Sequence, residues 1–237
     1  MSDSYPAYCR PAAYDFFAAQ LSRLDSIDRL LNAAVAISMH ELTDVEPRAV
    51  RGQLDALANR VRSRVRGGNQ EAVLAHLHGV LFDEEGLIGN TDDYYDPANS
   101  YISKVLETGR GIPITLTLIY KYVAQQLGLT VHGVNAPAHF LARVRMEGSW
   151  TLVDPFFAGR ILTRAEAIEQ IEQMTGRTIP AHDIEANDLS ETSHDPLFQI
   201  ATHEQWLARI VRNLRSVFQQ LQRERDVRAM MELFSLL

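Results

Sequence analysis

His139 and Asp154, the latter followed by Pro155, are the residues whose types and spacing could do chemistry in this chain. On neighbouring antiparallel strands, one hairpin apart, they can meet. Asp154 then accepts a hydrogen bond from one imidazole nitrogen and fixes the tautomer, and the other nitrogen faces the substrate side. Such a base needs a thiol or hydroxyl within hydrogen-bond reach. The single cysteine, Cys9, is far away in sequence, in an irregular arm with Pro6, Tyr8 and Pro11, and reads as a bystander thiol. Among hydroxyls, Thr115 is nearest by sequence and Ser100 lies in the preceding loop. The plainer reading of Thr115 is a helix-interior threonine bonding back to the preceding turn. Asn99 and Asn135 can donate to a developing oxyanion, and both residues also suit turns. His76 and His78, two apart on a helix, point to different faces. His132, His139 and Asp154 have no helical His-x-x-x-His companion, so neither a metal nor a cofactor is expected.

The elements that must position these residues follow from periodicity. Phe16, Phe17, Leu21, Leu24, Ile27, Leu30 and Leu31 recur at helical steps across residues 12–38. Pro47 to Val65 reads as a second helix, started by Thr43-Asp44-Val45-Glu46-Pro47. Asn69 caps a third through Leu81, and these helices form an N-terminal layer. Residues 82–100 are turn-rich; their acids lack the spacing of a calcium loop and read as solvated. A short helix from Tyr101 to Thr108 precedes Gly109-Arg110-Gly111. The helix from Pro113 to about Leu127 is apolar nearly all round and belongs at the centre of a fold. Strand signals follow: Val131 to Val134, then a half-buried strand of Phe140, Ala142, Val144 and Met146, a Glu147-Gly148 turn, and Ser149 to Asp154. Thr163 and Glu166 form a capping box for a helix over 164–175, and Thr202 and Gln205 form another for a C-terminal helix pair.

Composition narrows the classes. The 237 residues carry a net charge of −7 and are 46% hydrophobic, ample for a core and unlike a dedicated nucleic-acid binder. One cysteine leaves no internal disulfide framework and suits a reducing cytoplasm. No apolar run approaches the roughly 20 residues of a membrane span, and Met1 to Arg10 lacks a signal-peptide pattern.

Several separate motifs in order carry a family resemblance: Asp93-Tyr94-Tyr95-Asp96-Pro97-Ala98-Asn99-Ser100, Val105-Leu106-Glu107, Gly111-Ile112-Pro113-Ile114, Gly133-Val134-Asn135, Pro137-Ala138-His139-Phe140-Leu141 and Val153-Asp154-Pro155-Phe156. Over roughly residues 70–160 the chain resembles the SirB-type branch of the transglutaminase-like superfamily. The resemblance implies a papain-like core. It also implies that residues 202–237 are the first helix pair of a tetratricopeptide-like tail. A eukaryotic F-box family carries a similar domain, which hints at adaptor use. In active relatives Gly-x-Cys opens the central helix, and His and Asp follow on two strands. Laid on that order, Gly111, His139 and Asp154 match, and the cysteine position falls on Pro113. Proline has no nucleophilic atom, yet it suits a helix's first turn.

The expected fold is α+β: a transglutaminase-like domain over 1–175 with a helical N-terminal layer and a buried central helix against a small antiparallel sheet, a connector over 176–200, and a helical hairpin over 201–237. The expected function is a catalytically degenerate domain serving as a binding or regulatory module. A protein partner would use the inherited cleft (Asn99, Ser100, Pro113, Asn135, Phe140) or the Arg-rich C-terminal helices, with no nucleic acid or membrane involved and a cytoplasmic location. The alternative is a cysteine-independent hydrolase or acyl-transfer enzyme on amide bonds, using His139 and Asp154 with Thr115 as substitute nucleophile.

Overall fold

The computed structural model describes residues 5–67, 69–179 and 197–237. In chain order the helices are α1 (Pro11–Leu21), α2 (Ile27–Ser38), α3 (Pro47–Arg62), α4 (Gln70–His78), α5 (Ile102–Thr108), α6 (Pro113–Gln126), α7 (Arg164–Thr175), α8 (His203–Gln220) and α9 (Glu224–Phe234). Four strands, β1 (Val131–Val134), β2 (Leu141–Met146), β3 (Ser149–Asp154) and β4 (Arg160–Leu162), form an antiparallel sheet in sequence order. The fold is α+β. The chain divides into two compact units: Met1–Gln53 with Asn90–Gly111 and Thr202–Leu237, and Leu54–Gly89 with Ile112–Ala201.

The first unit is helical. The stretch 12–38, expected as one helix, is broken at Ser22–Ser26, where the Ser26 hydroxyl takes the Arg29 N–H and starts α2 afresh. The C-terminal pair α8–α9 buries its inner stripe of Trp206, Ile210, Leu214, Phe218, Met230 and Leu233, and α8 packs against α2. A polar network closes the unit. His40 Nε2 lies 2.8 Å from Asp226, and the Arg10 N–H donates to His40 Nδ1 at 3.3 Å, so Nε2 carries the ring proton. Arg223 donates to Asp226 (2.7 Å) and to Glu41 (2.9 Å), and the Tyr101 hydroxyl donates to Glu41 at 2.7 Å.

The amino-terminal arm joins this network. The backbone N–H groups of Ala7, Tyr8 and Cys9 converge on the Glu232 carboxylate at 2.8, 3.1 and 2.7 Å. Cys9 is buried, and burial, aided by Glu232, pushes its thiol up to about 12.

The second unit holds the sheet. All residues of α6 from Pro113 to Ala124 are buried, including Lys121, whose ammonium donates to the Val131 carbonyl and is pushed down to about 8 by desolvation. Residues Leu141–Val144 of β2 are buried on both sides, more than a half-buried strand would be. One face, with Val134, Leu141, Leu152 and Leu162, meets Ala167, Ile168 and Ile171 of α7. The other, with Val131, Ala142, Val144 and Val153, meets α6. Strand β4 went unrecognised in the sequence because three residues are too short for an alternation to show.

A π-helical turn, Gly79–Glu84, ends α4 and replaces the regular helix expected through Leu81. Phe82 in this turn stacks on Tyr120 of α6 with centroids 6.0 Å apart, and His78 Nε2 lies 3.0 Å from the Tyr120 hydroxyl. Burial pushes His78 down to about 4. The neutral ring is the folded form, so this contribution to stability is complete above the ordinary histidine pKa and is lost as pH falls toward 4.

The turn after β3 is fitted around two aromatic rings. A Cβ on Gly159, which has φ +72°, would land inside the Phe82 ring, and a Cβ on Gly89 would land inside the Phe156 ring. Gly159→Ala combines a left-handed residue with an unavoidable clash and is expected to destabilise by about 2–3 kcal/mol, read from the denaturant midpoint. An unchanged midpoint would show that this turn is not fixed by Phe82.

Because the chain has one cysteine, the arm carries its own reporter. Glu232→Ala leaves three N–H groups without their acceptor, so Cys9 labelling by a disulfide reagent, slow in the native protein, should accelerate severalfold in the folded variant. Equal labelling rates would show that Glu232 does not hold the arm.

Candidate functional site

The His139–Asp154 pair lies in the second unit. His139 sits in a turn just ahead of β2, not on the strand as its sequence suggested. The His139 N–H closes the turn onto the Ala136 carbonyl at 3.2 Å, and Ala138 takes a left-handed φ of 57°. A non-glycine residue in that region is strained by roughly 1–2 kcal/mol. It turns the chain so that the imidazole reaches the end of β3.

Asp154 is the last residue of β3, and donors meet both of its oxygens. Oδ1 accepts the backbone N–H groups of Phe156 (3.0 Å) and Phe157 (3.4 Å), which start a short 3₁₀ turn. Oδ2 lies 2.7 Å from His139 Nε2 and accepts from Gln170 Nε2 at 2.6 Å. Four donors occupy the acceptor positions of one carboxylate, so the histidine supplies a proton from Nε2 and presents Nδ1 as its other edge. Nδ1 makes no hydrogen bond among the described residues. The ring meets Phe156 edge-on at 5.9 Å and Phe157 at 6.2 Å. His139 is 2% exposed and Asp154 0%.

Gln170 was missed in the sequence. It lies in α7 beside the buried stripe of Ala167, Ile168 and Ile171. A polar residue at the edge of an apolar stripe is the signal that could have found it, though such residues are common and usually solvated.

The head of α6 belongs to the same unit. Pro113 opens the helix, and the residue before it, Ile112, offers no capping side chain. Thr117 lies one turn further along the same face, and its hydroxyl donates to the Phe140 carbonyl at 3.3 Å. The face that carries Pro113 is therefore tied to the residue next to His139. Thr115 is 1% exposed, and its hydroxyl makes no hydrogen bond among the described residues, neither back to the preceding turn nor to a base. Phe140 is buried, and Asn135 is exposed with its backbone N–H on the Gln199 carbonyl.

Asn99 and Ser100 lie in the first unit, both buried. The Asn99 amide is engaged within its own loop. Its nitrogen donates to the carbonyls of Asp93 (2.7 Å) and Tyr94 (3.3 Å), and its oxygen accepts from Asn90 at 2.9 Å. These bonds, with the Asp96 carboxylate on the Ala98 N–H at 2.9 Å, shape the acidic loop as a set of turns. Among the described residues no group of three or more His, Cys, Asp or Glu side chains is placed to hold a metal, and no helix is long and apolar enough to cross a membrane.

Several known proteins are similar to this chain in sequence. A protein designated UPF0162 from Xylella fastidiosa (strain 9a5c) is 32% identical over 190 residues, covering 80% of this chain and 64% of that protein. The human protein F-box only protein 21 is 29% identical over 194 residues, covering 69% of this chain and 30% of its own length. The UPF0162 protein of Vibrio cholerae is 28% identical over 85 residues, covering 36% of this chain and 32% of its own. The chain thus spans under two thirds of the length of these relatives. No solved structure matches it significantly. The family described as the transglutaminase-like superfamily matches residues 48–212, more than half of the chain, and the chain belongs to that family.

Proposed function

We propose that this chain is a catalytically degenerate transglutaminase-like domain that works as a binding or regulatory module, of the SirB type and located in the cytoplasm. The observation that carries the reading is the head of α6, where Pro113 stands in the first turn and offers no atom that can attack. Cys9 does not substitute: its thiol is buried and pushed up to about 12, the reverse of an activated cysteine. Thr115 has a hydroxyl, but no base bonds to it among the described residues. The relative named F-box only protein 21 supports the same direction, since the match there is a minor part of a longer chain whose name refers to another module.

A second reading has one specific observation in its favour. Asp154 holds His139 with Nε2 as donor, which leaves Nδ1 as an acceptor able to take a proton from water or a hydroxyl. A hydrolase or acyl-transfer enzyme on amide bonds, independent of cysteine, would use that edge.

Amidase and transamidase assays of the purified chain beside His139→Ala separate the two. The degenerate domain gives no turnover above buffer in either protein. Turnover in the wild type that falls at least about a hundredfold in His139→Ala, as loss of a general base does, would establish the enzyme instead.

A further inference from the structure

The outer face of the α8–α9 pair is built unlike the rest of this acidic protein. Arg212 and Arg215 lie three apart on α8, hence neighbours on one face. Arg225, Arg228 and Met231 follow at the same spacing along α9, and all five residues are exposed. Met231 is 53% exposed and Phe234, three residues further on, 41%. The Arg212 guanidinium lies over the Phe234 ring at 5.7 Å, which joins the two helices' outer faces into one patch.

The charge of the patch follows from where the acids of these helices go. Asp226 turns inward to His40 and Arg223, and Glu232 turns to the N–H groups of the arm. Glu204 and Glu224 sit in the first turns of their helices, where the helix dipole favours an anion. The remaining charges along the outer faces are arginines. Arg215 and Arg225 make no ion pair among the described residues, and Arg228 is held by the Tyr8 ring and hydroxyl, not by a carboxylate. A positive strip around two exposed apolar side chains, on a chain of net charge −7, is complementary to carboxylates flanking an apolar stripe.

We propose that this face docks an acidic amphipathic helix of a partner protein. Met231 and Phe234 receive its apolar stripe, and Arg212 and Arg215 meet its flanking carboxylates. The proposal rests on the binding-module reading and gives that module a partner chemistry. The polarisable thioether and the aromatic ring suit apolar anchors, and the arginine forks suit carboxylates.

The test uses the full chain and a fluorescein-labelled synthetic helix of about 18 residues, long enough to form several turns, with leucines at helical spacing and glutamates elsewhere. Its counterpart carries lysine in place of every glutamate. Fluorescence anisotropy should show saturable binding of the acidic peptide only, weakened by added salt. Phe234→Ala, and Arg212→Glu together with Arg215→Glu, should each weaken it about tenfold or more. Circular dichroism checks that these surface variants remain folded. Equal binding of both peptides, saturable binding of neither, or unchanged binding by the variants overturns the proposal. So does self-association of the chain that Phe234→Ala abolishes, which would assign the face to a second copy. The peptide readout is separate from turnover, so amidase activity in the wild type would refute the degenerate reading without touching this result.

Discussion

The carboxylate of Asp154 is the constraint around which the second unit is arranged. Its buried oxygens take donors from His139, from Gln170 of α7 and from the backbone of Phe156 and Phe157. A charge with no exposure persists only if it is fully hydrogen-bonded. That requirement fixes the turn after β3, the side chain that α7 must contribute, and the tautomer of the histidine. Phe156 in turn rests against Gly89 where no side chain fits, so the carboxylate's demand reaches back to the segment before α5. A neutral replacement at Asp154 would leave several buried donors unmatched, which destabilises more than loss of one surface charge.

Under the proposed reading, the same arrangement lets a fold outlast its chemistry. A His–Asp pair held this firmly contributes to the packing of a hairpin and a helix whether or not it has a nucleophile to serve. Pro113 is likewise compatible with the helix it opens, because a first-turn residue has no intrahelical N–H bond to lose. In that reading the scaffold demands a helix start at this point, and only the reaction would demand sulfur. The arm tells a parallel story in the first unit. Cys9 is fixed by what its backbone donates to Glu232, and its sulfur is buried as a small apolar group.

Much of this was legible in the sequence, for physical reasons that differ from place to place. The apolar run from Ile114 to Ala124 reads as a central helix because it has no polar face, and the structure buries all of it, Lys121 included. The capping boxes at Thr163 and Thr202 are local hydrogen-bond patterns that need no tertiary context, and both are present. The meeting of His139 with Asp154 was legible because the two residues flank one hairpin, although the turn at Ala138 completes it. What escaped was set by tertiary contact. The left-handed Ala138 that swings His139 off its strand has no glycine to announce it. Gln170 reaches Asp154 only once α7 lies against the sheet. The π turn that brings Phe82 to Tyr120, and the Asn99 amide bonds that close the acidic loop, depend on partners distant in the fold or hidden in a turn.

The proposed vacancy at the head of α6 can be tested by filling it. In Pro113→Cys the ultraviolet absorbance of the thiolate, followed against pH, reports the acidity of a sulfur at that position. Cys9 is silent until about pH 12. If position 113 is the vacated seat of a nucleophile, helix N-terminus and imidazole together should lower its thiol pKa to about 7 or below. Adding His139→Ala should raise it again toward the ordinary value of about 8.5. A thiol at 113 that titrates near that ordinary value whether or not His139 is present would contradict the reading of this domain as an enzyme scaffold missing its sulfur.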